Sequence, residues 1–275
     1  MTRAILRLLE RLRLLRPAWR AYEAYRGWRG PPRKDAGTAP DGLPLPPTRL
    51  IVLIAGTPEP EWFLESGALA ARSIRSALGK AGVDLDRLDS ILDFGCGCGR
   101  VLRQWARVEG PEIWGSDYNE RLVTWCRENL PFAHVARNEL EPPLRFEDEK
   151  FDLVYALSVF THLPERLQHL WMAELRRIVR PGGFVLFTTH GRRYLDRLQE
   201  SERERFLAGG PVVRWEHVAG TNLCAAYHPQ SWVQESLARE LELVEFIPEG
   251  AQGNPHQDLY LLRRPTLPGS QGAVF

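Results

Sequence analysis

Short apolar runs alternate with helix-length amphipathic stretches through the middle of the chain. The apolar runs are residues 91–94, 113–115, 133–136, 151–157 and 184–189. The amphipathic stretches between them are residues 100–108, 120–129 and 165–179. Strand–helix alternation at this spacing predicts an α/β fold, in which helices cover both faces of a parallel sheet.

The last part of the chain breaks this alternation. Residues 241–247 and 259–262 are two strand candidates, and the loop between them is too short to hold a crossover helix. We therefore expect these two strands to pair with each other in antiparallel orientation.

The first ninety residues follow a different pattern. Apolar residues recur at three- and four-residue steps over residues 5–28, which predicts an amphipathic helix that Pro17 breaks or kinks. Residues 30–47 are rich in Pro and Gly and are predicted to be a linker. Residues 50–55 have the length of a strand or a short helical segment, and a further helix is predicted from residue 61 to about residue 78.

These patterns divide the chain into five segments. We expect a basic helical arm at residues 1–34, a linker at 35–49 and a helical lid region at 50–89. The main domain is expected at residues 90–265, with a substrate-side insertion at 191–230, and a C-terminal tail follows at 266–275.

Composition narrows the class of protein. The chain has 275 residues, of which 44% are hydrophobic and 26% charged, as in ordinary soluble domains. Its four cysteines form no CxxC pair, so neither a disulfide framework nor a metal site is expected, and a cytoplasmic protein is predicted. No apolar run approaches the ~20 residues that span a bilayer, and arginines interrupt the N-terminus too often for a signal peptide.

Charge is distributed unevenly along the chain. Residues 1–34 hold nine Arg and one Lys against two Glu, so this segment is +8 and the remainder −7. Because the body is acidic, a nucleic-acid partner is not expected. Three interpretations of the arm remain open: residues 1–28 dock on an anionic surface at the inner membrane, dock on a partner protein or second subunit, or pack on their own domain.

The sequence ILDFGCGCGR at residues 91–100 is the strongest chemical signal in the chain. An apolar strand leads into a loop with Gly95, Gly97 and Gly99, where the missing side chains let the backbone approach a ligand closely. Parallel sheets bind ligands at this carboxyl edge of their strands. The alternative is a tight strand-to-helix turn without a ligand.

Two classes of nucleotide compete for this loop. A dinucleotide-binding loop has the spacing GxGxxG, whereas this loop has GxGxG and carries Arg100 where the third dinucleotide glycine would fall. Asp93 precedes the loop, and its carboxylate would repel a pyrophosphate but would suit the cationic amino group of a methionine moiety. The residues therefore favour a methionine-bearing nucleotide.

A second acidic residue ends the next strand. Asp117 follows the loop by roughly 20 residues and can accept hydrogen bonds from both hydroxyls of a ribose. Its alternative role is the N-cap of the helix that follows. Tyr118 is expected either to pack on an adenine or to cover the sheet edge.

Together these motifs resemble those of the class I S-adenosylmethionine (SAM)-dependent methyltransferases. Residues 93–99 resemble motif I of that family, and Asp117 matches the acidic residue of motif II. Residues 151–162 resemble the fourth-strand motif, and residues 175–183 resemble the turn before the fifth strand. The resemblance implies a Rossmann-like sheet of seven strands in the order 3-2-1-4-5-7-6, with strand 7 antiparallel.

The resemblance also implies SAM as the cofactor and assigns residues to it. Asp93 would hold the amino group, the glycines would face the methionine part and Asp117 would take the ribose. Asn138, where the family often has an acidic residue, would accept a hydrogen bond from the adenine amino group. The full expected set is Asp93, Gly95, Cys96, Gly97, Gly99, Asp117, Tyr118, Asn138 and Ser158.

Methyl transfer requires an oriented acceptor, and a hydroxyl or amine acceptor also has to lose a proton. His162, His190 and His228 are the candidate general bases, since two of them follow predicted strands and the third lies in the insertion. Each could instead pack or cap locally. Residues 62, 63 and 65 are expected to contribute to a lid.

We therefore predict methyl transfer from SAM to an oxygen or nitrogen atom of a small-molecule or glycan-type acceptor. One alternative is a protein or RNA acceptor that docks through the basic arm. Another is a non-catalytic module that binds SAM or a partner protein. A NAD(P) oxidoreductase fits less well because of Arg100 and because the second half of a dinucleotide-binding sheet is missing.

Overall fold

The structure, a computed structural model, describes residues 3–28, 37–253 and 256–266. Nine strands of the described residues form one sheet. They are β1 (Ser90–Phe94), β2 (Glu112–Asp117), β3 (Ala133–Arg137), β4 (Phe151–Ala156), β5 (Val179–His190), β6 (Val212–Arg214), β7 (Ala225–Tyr227), β8 (Glu242–Ile247) and β9 (Gln257–Arg263).

The order of the strands confirms the predicted fold. The parallel strands β3, β2, β1, β4 and β5 lie side by side in that order. β9 pairs antiparallel with β5, and β8 pairs antiparallel with β9, as the short connection between them predicts. The seven long strands therefore have the expected order, with β8 and β9 in the places of strands 6 and 7.

The two shortest strands are additions to this sheet. β6 and β7 pair antiparallel inside the predicted insertion, and β7 meets β5 at the single pair His190–Tyr227. Three-residue strands carry too few alternating positions to be recognised in a sequence. Their effect is to extend the sheet at the end of β5, next to the edge where a ligand is expected.

Eight α-helices lie within the described residues. They are α1 (Arg3–Arg11), α2 (Leu15–Trp28), α3 (Thr48–Ala55), α4 (Pro60–Lys80), α5 (Glu120–Asn129), α6 (Glu165–Ile178), α7 (Glu200–Leu207) and α8 (Gln230–Trp232). None of the helices in this part of the chain combines the length and the hydropathy that a bilayer span requires. Residues 50–55, whose pattern left strand and helix open, belong to α3.

Both faces of the sheet are covered, so its central strands are largely apolar. Ile91 faces the cluster that includes Ile74 of α4, whereas the next residue, Leu92, faces the cluster that includes Trp171 of α6. Every residue of β4 is buried. Successive side chains of a strand point to opposite faces of the sheet. A strand that is buried on both faces is therefore largely apolar.

The helix predicted over residues 100–108 is wrong. Only a 3-10 turn, Leu102–Trp105, forms there. Arg103 in this turn is 2% exposed, and its guanidinium binds both carboxylate oxygens of Asp41 and the carbonyl oxygens of Leu43 and Pro44. This tertiary anchoring overrides the helical pattern.

The same contacts correct the predicted linker. Its described part, residues 37–49, lies against the domain, with Ala39 and Leu45 buried in the core cluster on the α4 face of the sheet. Pro and Gly predict irregular backbone in this segment. This prediction is correct as far as Pro47, after which α3 begins. The segment is nevertheless fixed in place by its two apolar side chains and by Asp41.

The arm consists of two helices, and the interruption is not at Pro17. α1 ends at Arg11, and α2 begins at Leu15, with Arg13 in the left-handed region at φ 57°. Pro17 lies in the first turn of α2, where a backbone N–H would have no helical partner to lose. Leu6 and Leu15 are buried against Val218 and other residues of the insertion, so the arm packs on its own domain.

Candidate cofactor and acceptor site

The glycine loop lies at the carboxyl end of β1 and needs its glycines for two reasons. Gly95 and Gly97 have φ angles of 79° and 58°, which side chains disfavour. A Cβ on Gly95 would lie 2.4 Å from Cγ2 of Val159, and one on Gly97 would lie 2.6 Å from Cγ2 of Ile54. The loop is therefore packed closely between α3 and the segment that follows β4.

Asp117 joins this loop to the end of β2. Its Oδ2 accepts the Gly97 N–H at 2.9 Å, and its Oδ1 accepts the Asn119 N–H at 2.8 Å. The N-cap of α5 is Asn119, which accepts the Arg121 N–H, so Asp117 is not the cap. Each carboxylate oxygen retains acceptor capacity for a ribose hydroxyl. Burial raises the pKa of Asp117 to about 6, although its backbone hydrogen bonds oppose the rise.

Asp93 is buried at the base of the loop. Burial raises its pKa to about 7, against a hydrogen bond from the Tyr155 hydroxyl and the positive charge of Arg100, both of which lower it. Tyr155 in turn accepts the Trp105 indole N–H at 2.7 Å. Tyr155 and Trp105 were not predicted as site residues, because an aromatic residue in a buried strand or turn looks like ordinary core. Their hydrogen bonds fix the carboxyl group of Asp93.

A cavity of about 1360 Å³ opens above these residues. This exceeds the volume that one small-molecule ligand usually occupies, about 300–1,000 Å³, and leaves room for a cofactor and part of an acceptor. All but one of the nine expected cofactor residues line it: Asp93, Gly95, Cys96, Gly97, Asp117, Tyr118, Asn138 and Ser158. The exception is Gly99, where an added Cβ would lie 2.5 Å from Leu130 Cδ1 inside the domain.

Asn138 and Tyr118 line this cavity just beyond the ends of β3 and β2. Asn138 donates its backbone N–H to the carbonyl of Asp117, and its side-chain Oδ1 is buried without a partner among the described residues. An unpaired acceptor of this kind is costly unless a ligand satisfies it. The Tyr118 hydroxyl donates to the carbonyl of Gly220 at 2.7 Å, which ties the cavity wall to the insertion.

The three histidines have different environments. His162 lines the cavity, whereas His190 and His228 do not. His162 Nδ1 lies 2.7 Å from the carbonyl oxygen of Cys224. A carbonyl only accepts, so Nδ1 carries the proton and Nε2 has the lone pair of a base. Burial lowers the pKa of His162, which keeps the ring neutral near pH 7.

The other two histidines belong to the packing behind the cavity. His190 donates from Nδ1 to the carbonyl of Ala226 and packs against Tyr194 at 4.3 Å between ring centroids. His228 is fully buried, and its Nε2 donates to the Gln168 side-chain oxygen at 2.8 Å. Burial lowers the pKa of each to about 3, with repulsion from His162 and His228 contributing at His190. Neither position brings a base to the cavity.

A closed set of hydrogen bonds holds Ser158 at the end of β4. Its N–H donates to the Thr188 hydroxyl, which donates to Oε1 of Gln257, and Nε2 of Gln257 donates to the Ser158 hydroxyl. The three distances lie between 2.7 and 2.8 Å. Ser158 has a φ of 61°, a conformation that side chains rarely adopt and that the surrounding bonds sustain. Sequence reasoning missed Thr188 and Gln257 because they are distant in the chain.

A second cavity of about 490 Å³ shares walls with the first. Ser158 and His162 line both. The walls of the second cavity are rich in rings, namely Trp19, Tyr22, Trp62, Tyr194 and the imidazoles of His162 and His256. Of the three residues expected in a lid, only Trp62 lines the cavities, since Phe63 is buried in the core and Glu65 is exposed outside them.

Helix α2 forms part of the roof of the first cavity. Arg16, Trp19, Arg20 and Glu23 line it from above. The Trp19 indole N–H donates to Glu23 at 2.8 Å, and burial raises the pKa of Glu23 against this bond and the charge of Arg20. The sequence indicated a helix here but not that it would cover the site.

Comparison with known proteins agrees with this geometry. Residues 92–187 match a family described as a methyltransferase domain. Tocopherol O-methyltransferase of Arabidopsis thaliana is 26% identical over 170 residues, which make up 58% of this chain and 45% of that protein. Malonyl-[acyl-carrier protein] O-methyltransferase of Salmonella typhimurium is 34% identical over 100 residues, 36% of this chain and 38% of that protein. The match thus spans less than half the length of both relatives.

A solved structure shares the fold. The crystal structure of a SAM-dependent methyltransferase from Methanosarcina mazei has a TM-score of 0.50 and 20% identity, over 65% of this chain and 93% of that chain. The matched family region contains the glycine loop, Asp117, Asn138 and His162. Residues 92–187 therefore match a methyltransferase domain, the sheet has the fold of a SAM-dependent methyltransferase, and both matches support SAM as the cofactor.

Proposed function

We propose that the protein transfers a methyl group from SAM to an oxygen or nitrogen atom of a small-molecule acceptor, with His162 as the general base. The observation that carries this proposal is the neutral His162 ring, whose proton on Nδ1 leaves Nε2 as the base beside both cavities. A base serves an acceptor that must lose a proton, such as a hydroxyl group, and the two relatives named O-methyltransferases favour an oxygen acceptor.

The residues present fit SAM. Asp93 would hold its amino group, Asp117 its ribose, and the unpaired Oδ1 of Asn138 would accept from its adenine amino group. Gly95 and Gly97 line the first cavity, so the methionine part would lie along the loop. When bound, SAM supplies an electrophilic methyl group and leaves as S-adenosylhomocysteine.

His162 would accept the acceptor's proton at Nε2 while the carbonyl of Cys224 holds the opposite side of the ring. This hydrogen bond also stabilises the imidazolium that results, since Nδ1–H donates in both protonation states. Ser158, held by Gln257 and Thr188, would position the acceptor through its hydroxyl. Exclusion of water falls to α2 and Trp62, which cover the site.

The second cavity is the proposed acceptor site. Its ring-lined walls suit a planar or ring-bearing molecule, because such surfaces stack on aromatic side chains. Arg26 and Arg197 line the same cavity. A cavity roofed by a helix favours a small acceptor over a folded protein or RNA, whose acceptor group would have to pass beneath α2.

The first experiment is calorimetric titration of the full chain with SAM and S-adenosylhomocysteine, in the wild type and in Asp117→Ala. We expect micromolar binding that the substitution weakens by about tenfold or more, equivalent to about 1.4 kcal/mol. No binding by a folded wild type would contradict the cofactor assignment. It would favour the alternative hypothesis that the protein is a non-catalytic module.

Turnover then tests the base. Release of S-adenosylhomocysteine is measured with a panel of phenols, hydroxy acids and amines. His162→Ala is expected to lower kcat by about 10²–10⁴-fold while SAM affinity stays unchanged. His190→Ala is the matched control, because His190 lies nearby but outside the cavities. Equal losses of kcat and SAM affinity in His162→Ala would show that the residue shapes the site and is not the base.

A further inference from the structure

Large apolar side chains are exposed more often on α1 and α2 than anywhere else in the described residues. Ten such side chains are exposed in this part of the chain, and six lie in residues 3–28: Ile5, Leu8, Leu12, Leu14, Tyr25 and Trp28. Single exposed apolar residues are normal on a protein surface, whereas a concentration of them marks an interaction site.

The exposed side chains of α1 form a stripe. Ile5, Leu8 and Leu12 recur at steps of three and four residues and therefore lie on one side of the helix, with exposures of 47%, 56% and 57%. The neighbouring side, with Leu6 and Leu9, packs against the insertion. Docking of α1 on its own domain therefore buries one apolar side of the helix and leaves the other apolar side exposed.

The outer side of α2 also exposes large apolar side chains, and those of α2 are aromatic. Tyr25 is 47% exposed and Trp28, at the rim of the first cavity, is 81% exposed, and their three-residue spacing places them near each other on the helix. Trp and Tyr are the residues that favour the boundary between lipid and water, because each ring has an apolar body and a polar atom.

Arginines border these apolar residues. Arg11 and Arg13 are exposed, and the salt bridges found among the described residues include neither of them. A second copy of this surface would bring arginines against arginines, whereas anionic lipid headgroups would neutralise them.

We propose that α1 and α2 dock the protein on an anionic lipid bilayer, with Ile5, Leu8 and Leu12 in the acyl boundary and the arginines among the headgroups. The inference does not depend on methyl transfer, since it rests on the outer surface of the arm alone. It also leaves the inner surface of α2 in place as the roof of the cofactor cavity.

The test is flotation of the full chain with vesicles of phosphatidylcholine, with or without phosphatidylglycerol. We expect binding to the anionic vesicles that falls as salt concentration rises, and much weaker binding to the neutral ones. The triple variant Ile5→Gln, Leu8→Gln, Leu12→Gln should lower the anionic partition coefficient by roughly tenfold or more. The double variant Arg11→Gln, Arg13→Gln should lower it on anionic vesicles and leave binding to neutral vesicles unchanged.

The matched control is Leu207→Gln on α7, because Leu207 is 56% exposed, the same as Leu8. It should bind vesicles like the wild type. Circular dichroism and SAM titration of each variant show that the fold is kept. The proposal is overturned if the wild type does not float with anionic vesicles, or if the triple variant and the control bind equally. It is also overturned if the wild type does not bind vesicles and forms a dimer by light scattering that the triple variant abolishes. That outcome would assign the surface to contact with a second copy of the chain.

Discussion

At the scale of single residues, the site depends on two buried carboxylates, of which Asp93 lies near the positive charge of Arg100. Asp93 and Asp117 have pKa values raised to about 7 and about 6, in each case chiefly by burial. A buried carboxylate without its partner is costly, and a cationic amino group or ribose hydroxyls would relieve that cost. The two residues are therefore prepared for a ligand that has both features.

The raised pKa of Asp93 predicts that SAM affinity depends on pH. Below about pH 7 the carboxyl group is protonated and cannot pair with an ammonium group, so affinity should rise with pH. We expect a gain of about tenfold between about pH 5.5 and about pH 7.5, measured by calorimetry. Asp93→Asn should bind SAM weakly and lose most of this dependence.

Tyr155→Phe separates a positioning role from a structural one. The Tyr155 hydroxyl donates to the charged form of Asp93 and lowers its pKa, so its removal should move the midpoint of the affinity profile to higher pH. A variant with lower affinity but an unmoved midpoint would mean that Tyr155 only packs the site.

His228 predicts a pH dependence of stability. Burial lowers its folded pKa to about 3, below its ordinary value near 6.5, so the unfolded chain binds its proton first as pH falls. The residue therefore contributes full stability above pH 6.5 and loses it progressively toward pH 3. Between pH 7 and pH 5 the free energy of unfolding of the wild type should fall by about 2 kcal/mol more than that of His228→Leu, measured by urea denaturation. Equal pH slopes would contradict a buried neutral ring.

At the scale of elements, the sequence predicted those elements that follow from the pattern of apolar residues along the chain. β1 and β4 are buried on both faces, so their composition is largely apolar, and both were located correctly. The 3-10 turn at Leu102–Trp105 was not, because Asp41 dictates it from sixty residues away in the chain. The same limit holds at the site, where His162, His190 and His228 look equivalent in the sequence. Only their tertiary neighbours distinguish them.

The ion pair between Arg103 and Asp41 predicts how the segment around residue 41 is held. Arg103 has a fully buried side chain, so Asp41→Ala would leave its charge without a carboxylate and should cost about 3 kcal/mol in the free energy of unfolding. Asp86→Ala is the matched control, since its pair with Arg75 is exposed and worth about 0.5 kcal/mol.

The pH dependence of this pair has a known sign. Burial works to raise the pKa of Asp41, but hydrogen bonds from Arg103 and from backbone groups hold it below its ordinary value. Its contribution to stability is therefore present above the ordinary pKa and lost as pH falls through the lowered one.

If chemical denaturation gave the same loss for Asp41→Ala and Asp86→Ala, the buried pair would not anchor the segment.

At the scale of the whole molecule, the arm connects the outer surface to the cofactor cavity. One side of α2 lines the cavity through Trp19 and Arg20, and Leu15 of the same helix is 1% exposed in its contact with the insertion. A cofactor beneath such a roof leaves only when the roof moves. The stability of the contact at Leu15 should therefore set the rates of both release and entry, since both need the same opening.

Leu15→Gln tests this dependence. A buried amide without a partner would weaken docking of the arm, so SAM should dissociate faster by about tenfold in stopped-flow displacement and should also associate faster. Leu170→Gln, at a side chain that is 39% exposed on α6, should behave like the wild type. Unchanged dissociation in a Leu15→Gln protein whose arm has become sensitive to protease would mean that the cofactor exchanges by a route that α2 does not cover.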